Sequence, residues 1–277
     1  MTSTPEPRAF SFLRLNDRPV KPRTVGLTEI RGPYYTSFGP AHLRDLLESV
    51  GPHVDSFKFP GASMPLLSEE TLRSFINVCH DHNVEVSTGG LIEFVLTRGP
   101  DAVEQYFEAI QRYGFDIVEI SVGMLAIAPS DYLRLIERGR KAGLKVKAEI
   151  GIQFGAGGTS SVDELAAEGT GDPSWAVRRA RRAFDAGANL VLLESEGVTE
   201  QVRTWRTDVP ALFISEFGLE SVMFEAAEPA VFEWYVKNYG PEVNLFVDHS
   251  QAYQLECLRS GIWGTKSVWG RVVSYKG

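Results

Sequence analysis

Four short apolar runs end in a glutamate: VEIS at Glu119, VKAEIG at Glu149, LLESEG at Glu194 and VMFEAAE at Glu225; a fifth, NLFVDH, ends at Asp248. One carboxylate at the end of a buried-looking strand is unremarkable, because ion pairs and helix caps use the same position. Repetition changes the reading. If these ends converge, like charges at short range raise one another's pKa, and a divalent cation relieves the repulsion. Hard oxygen donors with no His or Cys partner suit Mg²⁺ better than Zn²⁺. The candidate metal ligands are Glu119, Glu149, Glu194 and Glu225.

Cations are expected at the same place. Lys58 closes the run DSFKFP, Lys21 and Arg23 precede the first strand and Arg31 follows it. A lysine at a strand end holds a phosphate or carboxylate as a point charge, so a small anionic substrate is the expected partner. Lys147 shares parity with Glu149 and points inward one layer below, where an internal pair with a glutamate is the plain expectation. Gly89-Gly90 in STGGLIEF leaves bare backbone for an anion. Of the histidines only His249 stands at a strand end, beside Asp248, as a candidate acid or base with Lys58 and Glu149. The glycine-hinged segment 154–173 reads equally as a lid or as a plain insertion.

The elements that must position these residues alternate. Strand-type runs are expected at Val25–Ile30, Val54–Phe59, Val84–Ser87, Ile117–Ser121, Val146–Ile150, Leu190–Glu194, Val222–Glu225 and Val243–Val247. Amphipathic patterns such as AVEQYFEAIQRYG and PSWAVRRARRAFDAG lie between them, and several stop at a glycine, as at Gly114, Gly143, Gly187 and Gly240. PALFISEF (210–217) is apolar and β-branched, but a strand there would crowd the next one, so it is read as helix. Eight β/α pairs without a composition break imply an α/β fold, a single (β/α)₈ TIM-type barrel over 21–277, preceded by a loose Pro- and Ser-rich arm over 1–20. In that fold the strand C-termini share one mouth, where active sites lie. No GxGxxG follows the first strand and no GxxxxGK[ST] occurs, which argues against a dinucleotide fold or a P-loop.

The totals agree. The chain has 277 residues, 43% hydrophobic, with 28 basic against 36 acidic side chains and a formal charge of −8. That balance argues against nucleic acid or an anionic membrane as the main partner. No stretch approaches the ~20 apolar residues of a membrane span, and MTSTPEPRAF lacks the apolar core of a secretory signal. A cytoplasmic protein is expected, with Cys79 and Cys257 as two buried thiols rather than metal ligands.

Read in order, KPRTVGLT, VDSFKF, GG followed by Glu93, GFDIVEIS, KVKAEIG, GANLVLLE, MFEA, GPEVNL and LECLRSGIWG resemble one family from Lys21 to about Thr265. This is the phosphosulfolactate synthase family, with which plant heat-stress-associated proteins are grouped. The resemblance implies a (β/α)₈ barrel, a homo-oligomer and a lyase-type synthase. Its reaction is the Mg²⁺-dependent addition of sulfite to phosphoenolpyruvate in sulfonate biosynthesis.

The departures from the family pattern concentrate where substrate would bind. Arg31 stands in a region that usually carries an aspartate, and PGASMP follows Lys58 in place of a Gly-Trp-Gly-Thr-Ser type loop. Val122 precedes Gly123 where Asp-Gly is usual, and Ile152-Gln153 replace a Lys-Lys pair. Glu194-Ser195-Glu196 lack the usual arginine, Val231-Phe232 replace a glutamine pair, and Ile262–Thr265 replace Leu-Arg-Gly-Asp. Retained carboxylates with lost cations imply a kept metal site and a more apolar pocket. Three readings follow: a Mg²⁺-dependent enzyme, with sulfite or a related nucleophile and phosphoenolpyruvate or a similar unsaturated acid; a non-catalytic or chaperone-like relative; and a barrel lyase that keeps the metal-enolate strategy with a changed substrate.

Overall fold

The computed structural model describes residues 8–158, 160–169, 171–262 and 266–275. Eight parallel strands close into a barrel in sequence order. They are β1 (Thr28–Arg31), β2 (Ser56–Lys58), β3 (Glu85–Ser87), β4 (Ile117–Ile120), β5 (Lys145–Ile150), β6 (Leu190–Leu193), β7 (Val222–Glu225) and β8 (Asn244–Asp248). Each lies within about three residues of the run expected from the sequence, and most are shorter. Helices cross back outside: α1 (Pro40–Val50), α2 (Glu69–Asp81), α3 (Leu91–Leu96), α4 (Pro100–Tyr113), α5 (Pro129–Lys141), α6 (Val162–Glu168), α7 (Pro173–Asp185), α8 (Asp208–Phe217), α9 (Pro229–Tyr239) and α10 (Ala252–Arg259). PALFISEF falls in α8, as expected. No helix among the described residues is long and apolar enough to cross a membrane.

Local chemistry fixes the helix ends. Ser68 caps α2 by accepting from the Thr71 N–H, and α4 starts on Pro100 and stops at Gly114, whose φ of 90° an L side chain rarely adopts. The strands alternate: Ile30, Phe57, Val118 and Ala148 face the helices and are fully buried in the main core. Their neighbours Glu29, Arg31, Lys58, Glu119 and Lys147 are also buried, but inside the barrel, where period-two alternation sends them.

The interior is therefore divided. Charged residues fill it on β1, β2, β4 and β5, whereas Leu192, Met223 and Phe246 from β6, β7 and β8 form a separate apolar cluster.

Asn16 donates to the carbonyl oxygens of Arg259 (2.9 Å) and Val272 (2.7 Å), and Arg18 pairs with Glu256 (3.1 Å), so the segment before β1 is fastened to the C-terminal region. Residues 1–7 of the expected arm lie outside the described residues. Cys79 is buried, but Cys257 is only half-buried, on the edge of α10.

Candidate active site

Strand ends carry the expected carboxylates to one mouth. Register sets Arg31 of β1 beside Lys58 of β2 and beside Asp248 of β8, and Glu119 of β4 beside Lys147 of β5. Lys58 Nζ lies 2.9 Å from Glu119 Oε1 and 3.0 Å from Glu149 Oε2. The other Glu119 oxygen faces Lys147 Nζ at 3.1 Å, and Lys147 closes the run on Glu29, which also accepts from Ser56 Oγ at 3.1 Å. Glu29, Lys147, Glu119, Lys58 and Glu149 thus form one buried chain of alternating charge. The expected inward pair of Lys147 is present, with two glutamates.

Across the mouth Arg31 pairs with Glu225. Its guanidinium lies 4.9 Å from the Phe246 ring centroid and 5.1 Å from that of Tyr35, while Lys58 Nζ lies 4.6 Å from Phe246. Phe246 is flanked by two cations, a favourable contact for a desolvated charge.

The carboxylates outnumber these cations, and the electrostatics follow. Burial pushes Glu194 well above the usual carboxyl range, and the neighbouring Glu225 and Glu149 push it further. Burial likewise pushes Glu149 up to about 8; Lys58 opposes this, while Glu119 and Glu225 reinforce it. Lys58, 3.0 Å from Glu149, also pairs with Glu119 at 2.9 Å, and its opposition does not outweigh the burial. Glu119 has two ammonium partners and is held below the usual range despite full burial.

The donors fit a hard divalent cation in chemistry and in charge. Glu149, Glu194 and Glu225 come from the consecutive strands β5, β6 and β7, and their crowding is what a cation relieves. Among the described residues no three His, Cys, Asp or Glu side chains stand ready as a coordination sphere. Glu119, the fourth expected ligand, faces two lysines.

Other expected residues are placed elsewhere. Lys21 donates to the carbonyls of Gly51 (3.0 Å) and Val54 (2.5 Å), and Arg23 pairs with Asp55 at 2.9 Å. Both therefore lie at the N-terminal end of the barrel, opposite the mouth, and the expectation that they join it is corrected. They precede β1 in sequence, so they meet the starts of strands and not the ends. There they line a cavity of about 1280 Å³, bounded toward the barrel interior by Glu29 and Lys147.

His249 follows inward-facing Asp248 and so turns outward. Its ring lies 4.4 Å from Phe38 and 5.9 Å from His42, away from the Lys58–Glu149 pair, and burial lowers its pKa.

Gly89 and Gly90 do follow β3 at the mouth. A Cβ on Gly89, whose φ is +58°, would stand 1.8 Å from the Phe59 carbonyl oxygen.

The departures from the family pattern have visible roles. Ile152 is buried, and Gln153 Nε2 donates to the Leu165 carbonyl at 3.0 Å, which ties α6 to the end of β5. The segment 154–173 thus contains a short helix, and residues 159 and 170 lie outside the described ones. Glu196 accepts from the backbone of Gly157 (3.0 Å) and Ser160 (3.2 Å), clamping this segment to β6. Val231 and Phe232 are core residues of α9, and Ile262 is about half exposed, while 263–265 lie outside the described residues.

Sequence reasoning missed Glu29, Glu196 and Phe246. Glu29 had a signal, since TEIR alternates and places it in step with Arg31.

Residues 16–265 match the family described as (2R)-phospho-3-sulfolactate synthase (ComA). The protein HEAT-STRESS-ASSOCIATED 32 of Arabidopsis thaliana is 36% identical over 259 residues, which covers 90% of this chain and 91% of that protein. A phosphosulfolactate synthase of Methanothermobacter thermautotrophicus is 29% identical over 263 residues, 92% of this chain and 96% of that one. In fold, the carboxyl transferase domain of Rhizobium etli pyruvate carboxylase is similar at a TM-score of 0.57 and 12% identity, over 80% of this chain and 39% of that one. The chain belongs to the phosphosulfolactate synthase family, the group that also holds the plant heat-stress-associated relatives.

Proposed function

We propose that this protein is a Mg²⁺-dependent carbon–sulfur lyase-type synthase that adds sulfite, or a related nucleophile, to phosphoenolpyruvate or a similar unsaturated acid. One observation carries the reading: Lys58 pairs with Glu149 at the C-terminal mouth, where active sites of this fold lie, and Glu194 and Glu225 crowd close enough to raise the carboxyl pKa values there. Family membership supports it.

Glu149, Glu194 and Glu225 are the residues that would hold the metal. A divalent cation held there supplies electrophilic stabilisation for negative charge building on the acid as a nucleophile adds to its β-carbon. In the addition a new bond forms at that carbon, the double-bond electron pair moves to the α-carbon, and a proton must arrive there. Lys58 Nζ is the group that grips the acid's carboxylate or phosphate, or gives that proton. Glu119 and Lys147 hold Lys58 in place. Arg31 offers a second cation on the far side of Phe246.

The test is mass spectrometry of purified protein incubated with phosphoenolpyruvate, sulfite and Mg²⁺, with an EDTA control. Metal-dependent phosphosulfolactate is the expected product. No product, with no Mg²⁺-dependent rise in melting temperature, overturns the reading; no product with the rise retained means that the metal is kept and the substrates differ.

One observation favours a second reading, a stress-associated role without this chemistry. Identity is 36% to the plant protein and 29% to the synthase. The first outcome of the same assay excludes it.

A further inference from the structure

A second hollow, of about 310 Å³, lies outside the barrel between the loop that follows β4 and helix α7. Its floor is apolar, made by Val122, Leu125 and Ile127 of the loop together with Leu133 of α5. Trp175 adds a flat aromatic wall, and the buried Tyr132 backs the hollow beneath Arg179. Its rim is cationic: Arg178, Arg179 and Arg182 line it.

Trp175, Arg178, Arg179 and Arg182 follow one another at helical spacing, so α7 turns a single face toward the hollow. Like charges at these spacings oppose helix formation, and the usual remedy is a carboxylate partner. Here the remedy is slight: hydrogen bonds from Ser174 lower the pKa of Asp172, and Arg178 lies close enough to help, without forming an ion pair. Arg181, on another face of the same helix, pairs with Glu216, but among the described residues none of the three rim arginines forms an ion pair. Arg178 donates to Ser174 Oγ at 2.9 Å, and Arg179 lies 4.4 Å from the centroid of the Tyr132 ring. This concentration of guanidinium groups without an ion-pair partner occurs in a chain of net charge −8, so it is not the expression of a generally basic surface. At the barrel mouth, by contrast, Lys58 and Arg31 are each matched by glutamate.

Concave, largely apolar hollows with a few convergent polar groups are the usual form of small-molecule sites. Guanidinium groups recognise planar anions such as carboxylate and phosphate through paired N–H donors. We propose that this hollow binds an organic anion with a flat apolar body, such as an aromatic carboxylate or an aromatic phosphate ester. The ring lies on the floor beside Trp175, and the anionic group meets Arg178, Arg179 and Arg182. The site adjoins the barrel mouth, with the Tyr132 hydroxyl close enough to Glu149 to feel its charge, and it does not depend on the reaction proposed for the mouth. A loop also links the two: Val122 lies three residues beyond Glu119, and the Gly123 carbonyl accepts from the Gly155 N–H at 2.9 Å.

The test is isothermal titration of the full chain with phenyl phosphate, with inorganic phosphate in parallel. Phenyl phosphate is expected to bind saturably at one site and at least tenfold more tightly than phosphate. Arg178→Gln combined with Arg182→Gln is expected to weaken it at least tenfold, as loss of charge-assisted hydrogen bonds requires. Arg182→Gln alone is expected to give a smaller loss in the same direction. Glu225→Gln, at the far side of the barrel mouth, is expected to leave the binding unchanged. Absence of saturable binding at millimolar ligand overturns the proposal, as does binding indifferent to the arginine changes. Binding abolished by Glu225→Gln also overturns it, since the ligand would then occupy the mouth.

Discussion

Lys58 and Glu149 meet at 3.0 Å although they come from β2 and β5, strands that do not pair. The contact crosses the barrel interior, and Glu119 at 2.9 Å completes the bridge. Removing one partner from a buried charge network leaves the others uncompensated and costs about 3–5 kcal/mol. Lys58→Met is therefore expected to lower the urea midpoint strongly and to abolish any activity. A midpoint equal to that of the wild type would show that the bridge contributes nothing to folding.

Selective binding of a metal to the native state raises the melting temperature. Millimolar Mg²⁺ is expected to raise it in the wild type, and Glu149→Gln and Glu225→Gln are each expected to reduce the rise. Differential scanning fluorimetry with and without EDTA reads this directly. Identical melting of all three proteins in both conditions would mean that the carboxylates do not bind the cation.

The pH dependence of stability has a definite sign. An unfolded glutamate titrates near 4.5, whereas burial pushes Glu149 up to about 8 in the native protein. Between these values the native state keeps a proton that the unfolded state has lost, so stability falls as pH rises. The contribution is complete below about 4.5 and gone above about 8. Glu194 shifts in the same direction and adds to the slope. Urea midpoints measured across this window should decline less steeply in Glu149→Gln than in the wild type. Equal slopes would remove Glu149 as a titrating group.

Gly89→Ala tests the backbone beneath the mouth. Its φ of +58° and the approach to the Phe59 carbonyl leave no room for a Cβ. A loss of about 2–4 kcal/mol is expected by chemical denaturation. Gly61, also at positive φ but with nothing within 4 Å, is the control, and Gly61→Ala should cost less.

The barrel was legible because its signals are local. Strand runs such as IVEI and VMFE, and stops such as Gly114, follow from side-chain period and backbone freedom alone. The mouth carboxylates were legible for the same reason, since each ends its strand. What failed depends on which end of a strand a flanking segment meets. Lys21 and Arg23 are close in sequence to β1, yet they bond to Gly51, Val54 and Asp55 at the opposite end. His249 failed by parity: one step past Asp248 turns it outward onto Phe38. Glu196 could not be found by pattern, because its role is to accept from Gly157 and Ser160 across a long loop.

The two walls of the barrel interior also differ in how freely they can drift. On the side of Leu192 and Met223, exchanges between hydrophobic residues of similar volume typically cost less than about 1.5 kcal/mol, whereas Phe246 also faces Arg31 and Lys58. On the side of Glu29, Lys147, Glu119 and Lys58, every member has a charged neighbour that its loss would strand. Evolutionary change can therefore accumulate stepwise beneath β6 and β7, one tolerated substitution at a time. Beneath β1 to β5 it must come as paired replacements, so new substrate shapes are more easily reached from the hydrocarbon wall while the charged wall stays as inherited.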